Sequence, residues 1–366
     1  MNLRTNVLSR LCVLLVSAVG PACSGLSHHE VSVPDYPIAG GVSAPLAGVV
    51  GDRLWVAGGC NFPHQPAADG GSKEFYADQY VLDLTETPSS WRSVGRLPQP
   101  VAYGVSVQVP QGMVCVGGQR AGASLAEAFL LQVDAATQDL VRTALPSLPV
   151  TIDNGAGAYV AGKVIVTGGN QSDGGRSLYA LDLAQPVAWV RLTEYPGALR
   201  IQPVLLADAS SVYLMGGFAP ARQQEGRLSG DVWKYHLPSG QWSVETQVPL
   251  DADALPIAVA GASGVCYRDC LILAGGVNAS VFQAAIEGRA PEDYLRRPRE
   301  WYRFSKTVAV YRLQSRQWRC YEVEGMDKAG GVLVRHGDCV YMVCGEIKPG
   351  IRTQEVVACP LDRLGL

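Results

Sequence analysis

The run Glu346-Ile347-Lys348-Pro349-Gly350-Ile351-Arg352 sets a carboxylate and a guanidinium at the two ends of one short segment. A carboxylate can take a proton from a hydroxyl and return it, and an arginine can grip another carboxylate through two parallel hydrogen bonds. Other polar side chains recur in comparable places: Asn61, Gln119 with Arg120, Asn170 and Asn278 each follow a glycine pair, while Tyr103, and Arg200 with Gln202, open later β-type runs. Amides donate to and accept from hydroxyls. Convergence of these types on one opening would suit a polar, anionic small ligand such as an acidic sugar. Taken singly, each has a plainer use. Asparagine after a glycine pair also serves as a turn residue bonded to its own backbone. Arg200 and Arg352 can be solvated or paired with loop acids, Glu346 can be an ordinary loop carboxylate, and Tyr103 can be core.

The elements that would bring them together repeat along the chain. Gly58-Gly59, Gly117-Gly118, Gly168-Gly169, Gly216-Gly217, Gly275-Gly276 and Cys344-Gly345 each end an apolar run, at successive spacings of 59, 51, 48, 59 and 69 residues. That period matches kelch-type units. A second alternating strand follows, and then a tryptophan in four of the units: Trp91, Trp189, Trp242 and Trp318. Such tryptophans suit wedges between neighbouring sheets. The pattern predicts an all-β, six-bladed propeller. The sixth unit ends one strand short at Pro360, and the segment Glu30 to Tyr36 is expected to supply the missing outer strand, closing the ring and removing the exposed edge. The post-glycine loops and the openings of the inner strands then share one mouth. The longest such loops, Cys60 to Ala77, Phe218 to Ser229 and Val277 to Ser305, are long enough to expect function. Pro291 to Leu295 is expected to begin a short helix over the opening.

Composition agrees with a globular β-rich chain: 48% hydrophobic, 17% charged, 41 glycines, 23 prolines and a net charge of −3. No basic surface points to nucleic acid. No linker divides residues 30–366, which read as one domain. Arg4 and Arg10, the apolar stretch Leu11 to Val19 and the small residues up to Cys23 read as an export signal over residues 1–22, too short for a permanent membrane span. Periplasmic location is expected, with lipidation of Cys23 as the lesser alternative. Export would permit disulfides, and Cys266 and Cys270 are expected to face each other across a three-residue hairpin. The five histidines are scattered and no zinc-type spacing occurs, so no metal or other cofactor is expected.

Several segments also resemble a known family, the bacterial sialic acid mutarotases or N-acetylneuraminate epimerases, in particular their cyclically permuted kelch branch. Gly345 to Thr353 is similar to the family's Gly-Glu-x-Lys-Pro-Gly-x-Arg-Thr stretch; Gly275 to Asn278, Ala102 to Ser106, Arg200-x-Gln202 and Glu292-Asp293-Tyr294 are similar to further segments. The resemblance implies interconversion of the α and β anomers of an acidic sugar, with Glu346 as proton acceptor and Arg352 binding the sugar acid. Substrate contacts are expected from Arg200, Gln202, Asn61, Asn278 and Tyr103. Ile201, where unpermuted relatives carry an acid, and Gln119-Arg120, in place of Glu-Thr, are departures that bear on substrate preference. The adjacent cation is expected to keep Glu346 ionised near neutral pH. The competing reading is a non-catalytic exported module that binds glycan or protein. A copper oxidase on the same repeat is weaker, since histidine placement gives it no ligands.

Overall fold

Each of the first five repeats folds into a four-stranded antiparallel sheet whose strands follow one another in chain order. The computed structural model describes residues 32–221, 226–251 and 254–366. In blade 1 the order from axis to rim is Leu46–Val50, Arg53–Ala57, Asp78–Asp83 and Arg92–Arg96. Blades 2 to 5 begin with the inner strands Val105–Val109, Ala156–Val160, Val204–Ala207 and Ala262–Tyr267, and blade 6 with Val332–His336. The second strand of every blade is almost wholly buried, as apolar runs sandwiched between two neighbouring sheets must be. Buried side chains accordingly form a separate apolar cluster at each of the six junctions. Residues Ser32–Leu366 pack as one unit.

The four expected tryptophans do stand between blades, and each indole also donates a hydrogen bond across the junction. Trp189 Nε1 donates to Pro146 O, Trp242 to Thr193 O and Trp318 to Gln247 O, at 2.8, 3.1 and 2.9 Å. Trp91 donates to Pro34 O at 2.8 Å, so the N-terminal segment takes the place of a preceding blade's outer edge. That segment is not a strand. Glu30 lies outside the described residues, residues 32–37 join no β-ladder, and blade 6 keeps the three strands Val332–His336, Cys339–Val343 and Val356–Pro360. Closure rests instead on reciprocal bonds between Tyr36 and Gln354, at 2.8 and 2.7 Å, and on Tyr36 packing edge-on against Tyr80 and Trp91. Two prolines, Pro34 and Pro37, explain why no regular ladder extends there.

The Cys266–Cys270 pairing is also corrected. The hairpin turns through two residues, Arg268 and Asp269, so Tyr267 faces Cys270 while Cys266 faces Leu271. An odd offset sends the thiols to opposite faces of the sheet. Cys266 bonds Ala207 on blade 4 and Cys270 packs towards blade 6; all eight described cysteines are free. The expected signal over residues 1–22, and Cys23, lie outside the described residues. No helix among the described residues is long and apolar enough to cross a membrane.

The glycine pairs mark where each blade presses on the next. Gly117 has φ +61°, and a Cβ there would lie 2.4 Å from Ile152 O, in the segment leading into blade 3. Gly162, in a surface hairpin at φ +81°, has open space around it. Gly117→Ala should therefore lower stability by about 2 kcal/mol or more, whereas Gly162→Ala should cost only about 1 kcal/mol of backbone strain. Urea midpoints will check this, and equal losses would mean that the close approach does not matter.

Candidate functional site

Where the chain turns into each inner strand, one residue adopts a left-handed conformation. These are Ala44, Tyr103, Asn154, Gln202, Gly261 and Gly330, with φ between +52° and +72°. In five of them the turn swings the N–H sideways onto the preceding blade: Ala44 N donates to Gly330 O, Tyr103 N to Ala44 O, Asn154 N to Tyr103 O, Gln202 N to Asn154 O and Gly330 N to Gly261 O, at 2.6–2.9 Å. Five of the six junctions thus share a belt of backbone hydrogen bonds around the axis. Non-glycine residues adopt this conformation at a cost, which the interblade bond offsets. All six residues line one axial cavity of about 160 Å³. The belt explains why Tyr103, Asn154 and Gln202 point their side chains at a common mouth.

Glu346 and Arg352 face each other as register partners in the small hairpin formed by Glu346–Lys348 and Ile351–Arg352. Pro349 and Gly350 make its turn, with Gly350 at φ +85°. Arg352 Nη1 lies 2.9 Å from Glu346 Oε1, and Gly350 N donates to the same oxygen at 2.8 Å. Arg352 Nε donates to Ser43 Oγ at 3.3 Å, and its guanidinium stacks 4.7 Å over the Phe62 ring. Its side chain is 4% exposed, while that of Glu346 keeps 25%. Tyr103 joins this group from blade 2: Cys60 Sγ, itself against Ser43, donates to its hydroxyl at 3.4 Å, and Lys73 Nζ donates to it at 2.8 Å.

Two long loops cover the hairpin. Lys348 Nζ donates to Arg297 O at 2.7 Å, and Arg296 pairs with Asp69 at 2.7 Å, linking the blade 5 and blade 1 loops. The blade 5 loop carries a helix, Ala279–Ile286, where none was expected, then a 3-10 turn at Tyr294–Arg296 and a short helix at Arg299–Tyr302. Its tyrosines 294 and 302 are close enough to feel the Glu346 charge.

Under this cover burial and charge compete at Glu346. Burial pushes its carboxyl above the usual range; Arg352, the Gly350 N–H and Lys73 pull it down without cancelling that push. Burial, reinforced by Cys60, likewise raises the Tyr103 phenol, while Arg352 opposes the rise.

Glu346, Arg352 and Tyr103 therefore come together, and Gln202 shares the axial cavity with Tyr103. Three other expected contacts are engaged in bonds within the protein. Asn61 is buried, donating to Ala39 O and Gly41 O and accepting from Tyr76. Asn278 caps the helix Ala279–Ile286, accepting from Val281 N at 3.1 Å. Arg200 is 2% exposed, its guanidinium held by Asp231 Oδ1 at 2.7 Å and Gly216 O at 2.9 Å. All three brace the loops and blades that shape the opening. Lys73, Ser43, Cys60 and Asn154 were not singled out from the sequence; aligning the six units on their inner strands would have placed Asn154 beside Tyr103 and Gln202.

The profile of the N-acetylneuraminate epimerase family matches residues 145–365, a span that contains both Glu346 and Arg352. The chain belongs to that family. It is 31% identical over 225 residues to an N-acetylneuraminate epimerase of Haemophilus influenzae (strain PittEE), covering 57% of each chain. To the Salmonella enteritidis PT4 protein of the same name it is 28% identical over 234 residues, covering 60% of this chain and 59% of that one. The chain thus spans 57–59% of the length of these curated relatives. A solved structure titled "Structure of YjhT" superposes with a TM-score of 0.63 over 90% of this chain and 97% of its own, at 14% identity, which establishes the shared fold.

Because Lys73 pulls the Glu346 carboxyl downwards, removing it must have a definite sign. Followed by carbon-detected NMR, Glu346 should titrate above 4.5, the ordinary value, and Lys73→Met should move it higher still. A midpoint below 4.5 in the intact protein would show that the arginine outweighs burial.

Proposed function

We propose that the protein interconverts the α and β anomers of N-acetylneuraminate or a closely related acidic sugar. One observation carries the reading: a carboxylate and a guanidinium 2.9 Å apart, screened by two loops at the mouth of the ring, in a chain of this family. The neighbouring groups divide the work in a chemically coherent way. Arg352, with Nε on Ser43 and Nη1 against Glu346, offers Nη2 to the sugar carboxylate, and Lys73 adds a second positive charge at the rim.

Ring opening needs one proton removed and one supplied. Glu346 takes the proton of the anomeric hydroxyl; the electron pair left behind forms the carbonyl as the bond from anomeric carbon to ring oxygen breaks. The ring oxygen takes a proton from Tyr103. That phenol suits the role because its oxygen already accepts from Lys73 and Cys60, which leaves its own O–H to point elsewhere. Lys73 can replenish Tyr103. Rotation about the bond from the carbonyl carbon to the next ring carbon, followed by the reverse transfers, delivers the other anomer, with no net gain or loss of protons. The upward-shifted Glu346 suits reversible transfer near neutral pH better than an ordinary carboxylate, since a base works best when its affinity for the proton is close to ambient pH. We also propose that the protein is exported, with the leader over residues 1–22 removed.

Glu346→Gln should fold and bind the sugar but slow protein-dependent anomer exchange by about 100-fold or more, as read by NMR magnetisation transfer. Tyr103→Phe should slow exchange by at least about tenfold at saturating sugar. Arg352→Ala should chiefly weaken binding. Full exchange in the glutamine variant would reject Glu346 as the base, and unchanged affinity in the alanine variant would reject Arg352 as the carboxylate ligand.

A further inference from the structure

On the blade 2 and blade 3 side of the same mouth lies a second polar group that the reaction itself does not use. Asp153 is 1% exposed. One carboxylate oxygen accepts from Asn154 Nδ2 at 2.7 Å and from Asn170 Nδ2 at 2.6 Å, and the other accepts from Ser124 Oγ. Asn154 Oδ1 in turn accepts from Gln202 Nε2 at 2.9 Å. Gln202 Oε1 accepts from no described residue, and Gln202 and Asn154 both line the axial cavity shared with Tyr103.

The direction of this chain is not arbitrary. A carboxylate with no proton to give can only accept, so Asn154 and Asn170 must both turn their NH2 groups towards Asp153. Asn154 is then left with its carbonyl facing Gln202, which must answer with its own NH2. Gln202 Oε1 is therefore the amide atom left without a partner, an acceptor held in one orientation. An amide that could flip freely would present donor or acceptor equally well; here the buried carboxylate selects one.

We propose that Asp153, acting through Asn154, fixes Gln202 as an acceptor for the N–H and O–H donors on the neutral half of the substrate, and so sets specificity for a sugar bearing acylamino and polyhydroxyl substituents. This rests on the functional reading above and divides the mouth in two. The Arg352 and Lys73 side attracts the acid, while the Gln202 side holds a carbonyl oxygen ready for the N–H and O–H donors of the neutral half. A sugar is thereby oriented with its carboxylate and anomeric carbon towards Glu346. Asp153 is a positioning residue, Gln202 the contact.

The test compares two sugars on the intact protein: N-acetylneuraminate, and a truncated acidic ketose that keeps the carboxylate and anomeric hydroxyl but lacks the acylamino and glycerol substituents. Asp153→Asn can donate where the aspartate could only accept, which frees the chain to reverse; Gln202→Met removes the acceptor while keeping the volume. Each should lower the ratio of kcat/KM for the full sugar over the truncated one by about tenfold, the size expected from losing a hydrogen bond of about 1.4 kcal/mol. A merely structural defect would lower both sugars alike and leave the ratio untouched. An unchanged ratio in Gln202→Met, with wild-type exchange intact, overturns this inference alone. If Asp153→Asn does not fold, Gln202→Met still decides it. A wild-type protein that exchanges neither sugar overturns the functional reading and this inference together.

Discussion

The contact between Glu346 and Arg352 is the constraint around which the mouth is organised. Two opposite charges at 2.9 Å, one of them almost wholly out of water, are costly to bury, and removing either would strand the other. The surroundings answer that cost. Ser43 and Phe62 hold the guanidinium, the Gly350 N–H holds the carboxylate, and the loops from blades 1 and 5 meet through Arg296 and Asp69. All of this sits at the junction where the first and last blades meet. Ring closure and site assembly are consequently one event: Gly345 N bonds Val42 O, Ala44 N bonds Gly330 O, and Ser43 lies between them against Arg352. Loosening the junction would open the ring and separate the base from its arginine.

The axial belt performs the complementary task. A propeller needs its inner strands at a fixed distance, and side-chain clamps supply part of that. Gln108 accepts from Val49 N and donates to Val49 O, Ser106 accepts from Ala47 N, and Ser263 accepts from Leu333 N. The left-handed residues just above them add backbone bonds, and three of the six, Tyr103, Asn154 and Gln202, bring polar side chains to the axial cavity. The same geometry thus yields rigidity and a set of directed functional groups.

Much of the architecture was legible because the glycine pairs mark close approaches that recur once per blade. Gly58, Gly117 and Gly168 each abut the segment leading into the next blade, so the repeat period reports sheet packing directly. The Glu346–Arg352 pair was legible for a different reason: both residues belong to one hairpin, so nearness in sequence became nearness in space. Lys73 was not, because it reaches Tyr103 only when two separate blades meet. Arg200 misled for the opposite reason. Its charge suggested a ligand contact, yet Asp231, at the start of the third strand of the blade that Arg200 leads into, pairs with it. Sequence reveals the cation beside Glu346 but not the depth of burial beneath the loops, which pushes its carboxyl upwards. The cysteine pairing failed by a single residue of register, which in a strand exchanges one face for the other.

The central claim is that this mouth accelerates anomer exchange on an acidic sugar. The most direct measurement is the rate at which freshly released α-N-acetylneuraminate converts to its β form, followed by NMR at a fixed pH over a series of protein concentrations. The account predicts a rate that rises linearly with protein at far less than stoichiometric amounts. A rate equal to that of buffer alone at every protein concentration would contradict it.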